Sequence, residues 1–159
     1  MTDQVTETSF YIGLGGNLGD PKEAMSRAIA LLDATEKVAV VSVSALYRTP
    51  PWGKLDQPDF LNACAKIATS LEPEAFLTVC QNVETRLHRV RDERWGPRTL
   101  DIDLLTWSGG AFHSDRLDLP HPRMNDRAFV LVPLADIAPS ITLKHDAGIV
   151  QSEPIGWHR

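Results

Sequence analysis

The order of the periodic segments constrains this chain more than any other feature of its sequence. Four segments are apolar at alternate positions or rich in β-branched residues, which is typical of strands, and two carry apolar residues three or four apart, which is typical of helices. In chain order they are a strand at 10–14, a helix opened by Asp20 and Pro21, strands at 38–47 and 60–69, a helix from about Glu72, and a strand at 99–107. This β-α-β-β-α-β order predicts an α+β, ferredoxin-like fold, with a mainly antiparallel sheet and helices packed on one side.

The same patterns give three local expectations. The polar stretch 89–98 should be a loop, and residues 127–137 should form a short helix broken near Pro133. The second strand should present one apolar face, made by Val41, Val43, Ala45 and Tyr47.

Size and charge bound the class of protein. A length of 159 residues predicts a single domain at 10–159, preceded by a polar, flexible N-terminus at 1–9. The formal net charge of −5 gives no general attraction to nucleic acid or to an anionic membrane, and no apolar stretch is long enough to span a bilayer. With no signal peptide and only two cysteines, we expect a cytoplasmic chain without a disulfide scaffold, and we expect a monomer.

A glycine-rich segment follows the first strand at 15–19. It matches neither the dinucleotide-binding fingerprint, because Leu18 stands where a glycine is needed, nor the P-loop pattern. A tight strand-to-helix turn that needs positive φ accounts for these glycines. Close approach of a ligand to the backbone is an additional possibility.

Two carboxylates lie two residues apart on the last predicted strand. Asp101 and Asp103 should therefore point to the same face, about 7 Å apart at Cα. Such a pair repels unless a cation lies beside it, and Mg²⁺ prefers oxygen ligands of this kind together with substrate phosphates. A strand whose polar face is simply solvated is the alternative.

Five arginines precede this carboxylate pair within thirteen residues: Arg86, Arg89, Arg91, Arg94 and Arg98. Guanidinium groups match phosphate oxygens with two parallel hydrogen bonds and can neutralise charge on a phosphoryl group. They could instead form a solvated face, paired with nearby acidic residues, and Arg86 is expected at the surface. In a net-acidic chain, arginines next to paired carboxylates favour a polyphosphate bound through Mg²⁺.

A third candidate is Asn62, on the polar face of the strand at 60–69. Its carboxamide is complementary to the amide-like edge of a flat heterocycle, and Phe60, Trp95 or Phe129 could stack on the ring. An isolated asparagine is otherwise a common strand-edge or turn residue. His121, between two prolines, could contact a nucleotide, whereas neither cysteine has a neighbour that suggests a nucleophile.

Several motifs, taken together and in order from about residue 10 to residue 139, resemble those of the 6-hydroxymethyl-7,8-dihydropterin pyrophosphokinases of folate biosynthesis. The most specific segment is Arg94-Trp95-Gly96-Pro97-Arg98-Thr99-Leu100-Asp101-Ile102-Asp103. The others are Gly15-Gly16-Asn17-Leu18, Tyr47-Arg48-Thr49-Pro50-Pro51, Gln57-Pro58-Asp59-Phe60-Leu61-Asn62-Ala63, Arg89-Val90-Arg91, Pro120-His121-Pro122 and Arg127-Ala128-Phe129. The resemblance implies a ferredoxin-like enzyme that transfers pyrophosphate from ATP to the hydroxymethyl oxygen of the dihydropterin, with release of AMP and with two Mg²⁺ ions.

The resemblance also implies roles for individual residues. Asp101 and Asp103 match the metal ligands, and Asn62 matches the residue that forms hydrogen bonds with the pterin edge. Phe60 and Phe129 match the aromatic rings that stack on either side of the pterin. The pterin-contacting loop corresponds to Thr49, Pro51 and Trp52, and Trp95 to a tryptophan that helps cover the site. The ATP-contacting positions are Arg89, Arg91, Arg94, Arg98, Leu104, His121 and Arg127, of which Arg89 and Arg91 match phosphate-binding arginines that matter for catalysis.

The chain departs from some members of the family at three places. Phe60 replaces a tyrosine, Pro122 replaces an aromatic residue that contacts adenosine, and the loop at 91–95 is one residue shorter.

Three other functions compete: a non-catalytic nucleotide-binding module, an RNA-binding sheet, and a pyrophosphokinase for another acceptor. The carboxylate pair disfavours the first, the absence of an RNP-like aromatic pattern disfavours the second, and the third depends on whether Asn62 and its aromatic neighbours accept a pterin.

Overall fold

The computed structural model describes residues 7–17, 19–49, 58–91, 100–138 and 150–151, and for 88–91 and 150–151 it describes the backbone only. It confirms the predicted α+β, ferredoxin-like architecture. The elements, in chain order, are β1 (Thr8–Gly16), α1 (Pro21–Asp33), β2 (Val38–Val43), β3 (Tyr47–Thr49), β4 (Phe60–Thr69), α2 (Pro73–Arg91), β5 (Asp101–Trp107), β6 (Phe112–His113), β7 (Asp118–Leu119), a 3-10 turn at Met124–Asp126, α3 (Ala128–Ala135) and β8 (Val150–Gln151). Among the described residues, no helix is both long and apolar enough to cross a membrane.

In the main sheet, β1 lies between β4 and β5. The strand order is β5-β1-β4-β3-β8, with β2 also paired to β4, and the pairs are antiparallel. In the register, Gly15 stands opposite Asn62 on β4 and Asp101 on β5, and Gly13 likewise stands beside Asp103. The predicted amide and carboxylate positions therefore flank the same stretch of β1.

Hydrophobic side chains cover both faces of the sheet, which corrects the expectation that the helices lie on one side. One face packs against α1 and α2 in a large cluster that includes Phe10, Ile12 and Phe76. On the other face α3 packs against β4, in a smaller cluster that includes Cys64 and Leu105. Since α3 lies mainly over β4, part of this second face remains available for a cavity.

The segment predicted as one strand at 38–47 is divided into β2 and β3. The pairing of β2 with β4 shifts register between Val40 and Ser42, so an additional residue interrupts the alternation of faces. Val38 and Val40 are buried, whereas the side chain of Val41 is 46% exposed. The predicted shared face of Val41, Val43, Ala45 and Tyr47 is therefore wrong.

Three predicted boundaries also differ. Strand β1 begins at Thr8, within the predicted flexible N-terminus, and extends through Gly16. Its last two glycines remain in the strand because they pair with Asn62 and Leu61 of β4. Helix α2 continues to Arg91, because polar side chains alone do not end a helix. Helix α3 runs through the buried Pro133 to Ala135, because the proline removes a single backbone hydrogen bond, to the Phe129 carbonyl, without ending the helix.

The start of α1 is as predicted and can be tested by mutation. Asp20 Oδ1 accepts a hydrogen bond of 3.2 Å from the Glu23 backbone N–H, and Pro21 occupies the first turn. We expect Asp20→Ala to lower the free energy of unfolding by about 1 kcal/mol. Urea denaturation measures the loss, and Asp20→Ser, which retains a capping oxygen, should recover most of it. Equal stability of the alanine and serine variants would contradict the assigned cap.

Candidate active site

A cavity of about 490 Å³ opens on the second face of the sheet, beside α3. Its floor comes from β1, one side from β4, the opposite side from β5, and part of its wall from α3. The lining includes Gly13, Gly15, Thr49, Phe60, Asn62, Asp101, Asp103, Arg127 and Phe129. The fold therefore brings together residues from five separate segments of the sequence.

The floor of the cavity has no side chains over Gly13 and Gly15, and the reason is not the one predicted. Of the residues that the structure describes in this segment, only Gly19 has a positive φ, of 70°, and it lies in the turn before α1. At Gly15 the constraint is space, because an added Cβ would lie 2.9 Å from Asn62 Oδ1. Gly15 therefore leaves room for the Asn62 amide.

The Asn62 side chain is held in one orientation at the side of the cavity. It is 8% exposed, and its Nδ2 donates a hydrogen bond of 3.1 Å to Thr49 Oγ1. Its carbonyl oxygen lies on the Gly15 side. Phe60 and Phe129 also line the cavity, so a fixed amide and two aromatic rings are available to a flat ligand.

Across β1 from the amide, β5 presents Asp101 and Asp103 on one face, as predicted from their spacing. Desolvation by the surrounding cavity walls raises the pKa of Asp103; His121 and Arg127 oppose this shift, and Asp101 adds to it. The negative charge of this pair is therefore unfavourable in the folded protein, and a bound cation would stabilise it. Among the described residues, no cluster of three or more His, Cys, Asp or Glu side chains could hold a metal ion, so the two carboxylates would share a cation with ligands from elsewhere.

Two basic side chains lie on the same side of the cavity as Asp103. The Arg127 guanidinium lies 5.6 Å from the centre of the Phe129 ring. Burial lowers the pKa of His121, and the Asp103 carboxylate partly offsets this shift. The His121 backbone donates a 2.7 Å hydrogen bond to the Leu105 carbonyl, which fixes this loop against β5.

The structure does not place every predicted site residue. The Leu104 side chain belongs to the large core cluster, on the opposite face of β5 from the carboxylates. The α2 backbone includes Arg89 and Arg91, whose side chains lie outside the description. The remaining predicted contacts, also outside the described residues, are Pro51, Trp52, Arg94, Trp95 and Arg98.

Sequence reasoning assigned no role to several lining residues, among them Cys64, Leu105 and Val130. Cys64 lies two residues after Asn62 on β4, so strand alternation could have placed it in the site. Asn17 also lines the cavity, and its Nδ2 donates a 3.3 Å hydrogen bond to the Pro58 carbonyl. That contact spans 41 residues, and no local pattern predicts it.

We expect Cys64 to be unreactive although it lines the cavity. Its side chain is fully buried, and its Sγ donates a hydrogen bond of 3.6 Å to the Val130 carbonyl oxygen. Burial raises the pKa of the thiol well above the usual range. Cys80 is also buried with a raised pKa. Because thiolate is the reactive form, a disulfide reagent at pH 8 should modify neither thiol in the native chain and both after denaturation. Rapid modification of the native chain would contradict this expectation.

The fold and the cavity define a ferredoxin-like α+β protein with a candidate small-molecule site on the second face of its sheet. The chain belongs to the 7,8-dihydro-6-hydroxymethylpterin-pyrophosphokinase family, whose model matches residues 11–139. This finding agrees with the resemblance carried by the sequence motifs.

Two relatives named 2-amino-4-hydroxy-6-hydroxymethyldihydropteridine pyrophosphokinase illustrate the similarity. The one from Methylorubrum extorquens is 50% identical over 155 residues, covering 96% of this chain and 98% of the relative. The one from Bacillus subtilis is 44% identical over 131 residues, covering 82% of this chain and 78% of the relative.

A solved structure supports the fold. The wild-type HPPK-DHPS of Plasmodium falciparum with SDX-DHP superposes with a TM-score of 0.67 at 14% sequence identity, covering 94% of this chain. This chain spans 43% of the Plasmodium chain, and at that identity the likeness concerns the fold alone.

Proposed function

We propose that this chain transfers pyrophosphate from ATP to the hydroxymethyl oxygen of 6-hydroxymethyl-7,8-dihydropterin, giving the pterin pyrophosphate and AMP, as a step in folate biosynthesis. The observation that carries the proposal is the register of β1. It places the Asn62 amide and the carboxylates of Asp101 and Asp103 on either side of one glycine floor in a single cavity. The family and its named relatives agree with this chemistry.

The pterin would bind on the β4 side of the cavity. The Asn62 carboxamide can bond an edge that carries both a donor and an acceptor, and Phe60 and Phe129 can stack on the ring. Strands β4 and β5 lie two strand spacings apart, about 10 Å, which leaves space for a flat ring system between the amide and the carboxylates. The ring would thus direct its hydroxymethyl group towards β5.

The ATP phosphates would lie on the β5 side. Asp101 and Asp103 would hold two Mg²⁺ ions, because their carboxylate oxygens are the ligands that Mg²⁺ prefers next to substrate phosphates. When bound, Mg²⁺ neutralises charge that develops on the phosphoryl oxygens and can lower the pKa of the attacking hydroxyl. Arg127, together with Arg89, Arg91, Arg94 and Arg98, would supply further positive charge to ATP, and His121 would supply a hydrogen-bond donor.

The reaction is an in-line displacement at the β-phosphorus. The hydroxymethyl oxygen forms a bond with this phosphorus while the bond to the bridging oxygen of the α-phosphate breaks, so AMP leaves and the hydroxyl proton is released. We assign no side chain of the described part of the chain as a general base. Positioning and electrostatic stabilisation dominate phosphoryl transfer, and the fixed amide and carboxylates provide both.

The experiment that tests the proposal is AMP release from ATP and Mg²⁺, measured with and without 6-hydroxymethyl-7,8-dihydropterin. The proposal requires pterin-dependent AMP without matching ADP. Binding of both ligands without AMP would instead indicate a nucleotide-binding module. The same proposal includes a monomeric chain in the cytoplasm, and light scattering of the purified chain tests the monomer.

A further inference from the structure

The position of α3 determines one wall of the cavity. Its first turn carries Phe129 and Val130 into the lining, and Arg127 precedes it. Because Phe129 is proposed to stack on the pterin, a small movement of α3 relative to β4 would change the width of the slot between the ring and the Asn62 amide. The contacts that hold α3 against the sheet therefore bear on ligand recognition.

A charged contact at the far end of α3 is unusual for a helix. Asp136 is the C-cap residue, where the partial negative charge of the helix end disfavours a carboxylate. The Tyr47 hydroxyl lies 2.7 Å from both oxygens of this carboxylate and donates to it, and the Ala45 backbone N–H donates to Oδ2 at 3.2 Å. These donors, from β3 and the residues just before it, offset the unfavourable location.

The Tyr47 ring connects this contact to the cavity. Tyr47 is 8% exposed and forms a small cluster with Val132 of α3, against which Phe129 also packs. On the sheet it stands opposite Asn62, and two residues further on Thr49 accepts the Asn62 hydrogen bond. Tyr47 therefore contacts the helix that carries the aromatic wall and the strands that carry the amide.

The phenol is kept in the donor form that this contact needs. Burial, the hydrogen bond to Asp136 and the charge of that carboxylate raise the pKa of Tyr47 to about 12. The hydroxyl therefore keeps its proton throughout the neutral range, and the carboxylate always has its donor.

We propose that Tyr47 and Asp136 are positioning residues, which fix the separation between α3 and the β3–β4 edge of the cavity and so set the affinity for the flat heterocycle. The inference rests on the proposed function, and it adds two residues that touch neither the substrate nor the metal. Its signature is a selective loss of pterin affinity, because the carboxylates of β5 lie on the other side of β1 and keep their place.

The test compares Tyr47→Phe and Asp136→Ala with wild type in steady-state assays that vary pterin and ATP separately. We expect Tyr47→Phe to raise the KM for 6-hydroxymethyl-7,8-dihydropterin about fivefold to tenfold, the loss of one hydrogen bond, with kcat and the KM for ATP within about twofold. Asp136→Ala, which also removes the Ala45 contact, should raise the pterin KM at least as much, and the double variant should be no worse than Asp136→Ala. Asp136→Asn retains an oxygen that can accept from Tyr47 and should recover most of the affinity.

Thr69→Val is the matched control for stability. Thr69 is fully buried at the far end of β4, where its hydroxyl bonds the Lys37 carbonyl and the Leu71 N–H. This variant should lower the thermal midpoint without changing either KM. If Tyr47→Phe does the same and leaves the pterin KM unchanged, the positioning role is wrong. Should Tyr47→Phe fail to fold, the comparison of Asp136→Ala with Asp136→Asn decides the question on the same criterion.

Direct binding separates this inference from the proposed function. Fluorescence titration of the pterin, without turnover, should show the same loss of affinity in Tyr47→Phe and Asp136→Ala. A wild-type chain that neither binds the pterin nor releases AMP would overturn the proposed function. A wild-type chain that does both, alongside variants with unaltered pterin affinity, would overturn the positioning role alone.

Discussion

Asp103→Ala is expected to reduce pterin-dependent AMP release by about a hundredfold to a thousandfold, the range that follows removal of one group stabilising transition-state charge. The carboxylate shares a strand face with Asp101 and lines the cavity. Without it the site would lose one of the two proposed Mg²⁺ ligands. Turnover measured against Mg²⁺ concentration should fall at every concentration, and Asp103→Asn should behave in the same way because the amide carries no charge.

Stability distinguishes this result from simple damage to the fold. The pKa of Asp103 is raised in the folded chain, chiefly by desolvation, so at neutral pH its charge disfavours the native state. Both Asp103 variants should therefore unfold at the same temperature as wild type or higher. Asp115→Asn, at an exposed position between β6 and β7, is the control and should keep full activity. Near-normal turnover of Asp103→Ala would show that the metal assignment is wrong.

Gly15→Ala is expected to weaken pterin binding about tenfold or more, although it adds only a methyl group. The new Cβ would lie 2.9 Å from Asn62 Oδ1, so the amide must turn or shift. Turning it would disrupt the 3.1 Å hydrogen bond to Thr49 and misdirect the donor and acceptor that the pterin edge requires. The KM for the pterin should rise, while the KM for ATP stays within about twofold.

Two other glycines provide comparisons. At Gly13 an added Cβ would meet only the Leu105 side chain, at 3.7 Å, so Gly13→Ala should reduce pterin affinity much less. At Gly109 a Cβ would lie 2.5 Å from the Trp107 ring, outside the cavity, so Gly109→Ala should cost stability and leave the pterin KM unchanged. Wild-type pterin affinity in Gly15→Ala would mean that the Asn62 orientation does not set recognition.

The helix–strand order was predictable because each long element carries its own period. The pairs β1–β4 and β1–β5 follow from the ferredoxin-like order, and α1 begins at the residues that cap it. The interruption at Val41 was not predictable, since a β-bulge depends on the partner strand rather than on local composition. The packing of α3 on the second face was missed for a similar reason, because that helix is apolar all round and its period does not indicate a face.

The site was predictable where spacing alone decides which way a side chain points. Asp101 and Asp103 share a face because they are two residues apart on a strand, and their side chains line the cavity. The contacts of Tyr47 with Asp136 and of Asn17 with Pro58 join residues that are distant in sequence. No local sequence pattern predicts which residue either side chain contacts. The proposed ATP contact of Leu104 stays a prediction, since its side chain lies in the core and only its backbone is left to make the contact.

The place of β1 between β4 and β5 has a consequence for how the protein is made. The first strand of the chain pairs with β4 and β5, and both are synthesised much later. Its pairing is therefore highly non-local, which slows folding because long loops must close before any contact compensates for their entropy. A nascent chain that ends before Asp101 has neither the second neighbour of β1 nor the carboxylate pair. The candidate cavity is thus among the last features to assemble, and a ribosome-bound precursor would contain the Asn62 side of the cavity before the side that carries Asp101 and Asp103 is synthesised.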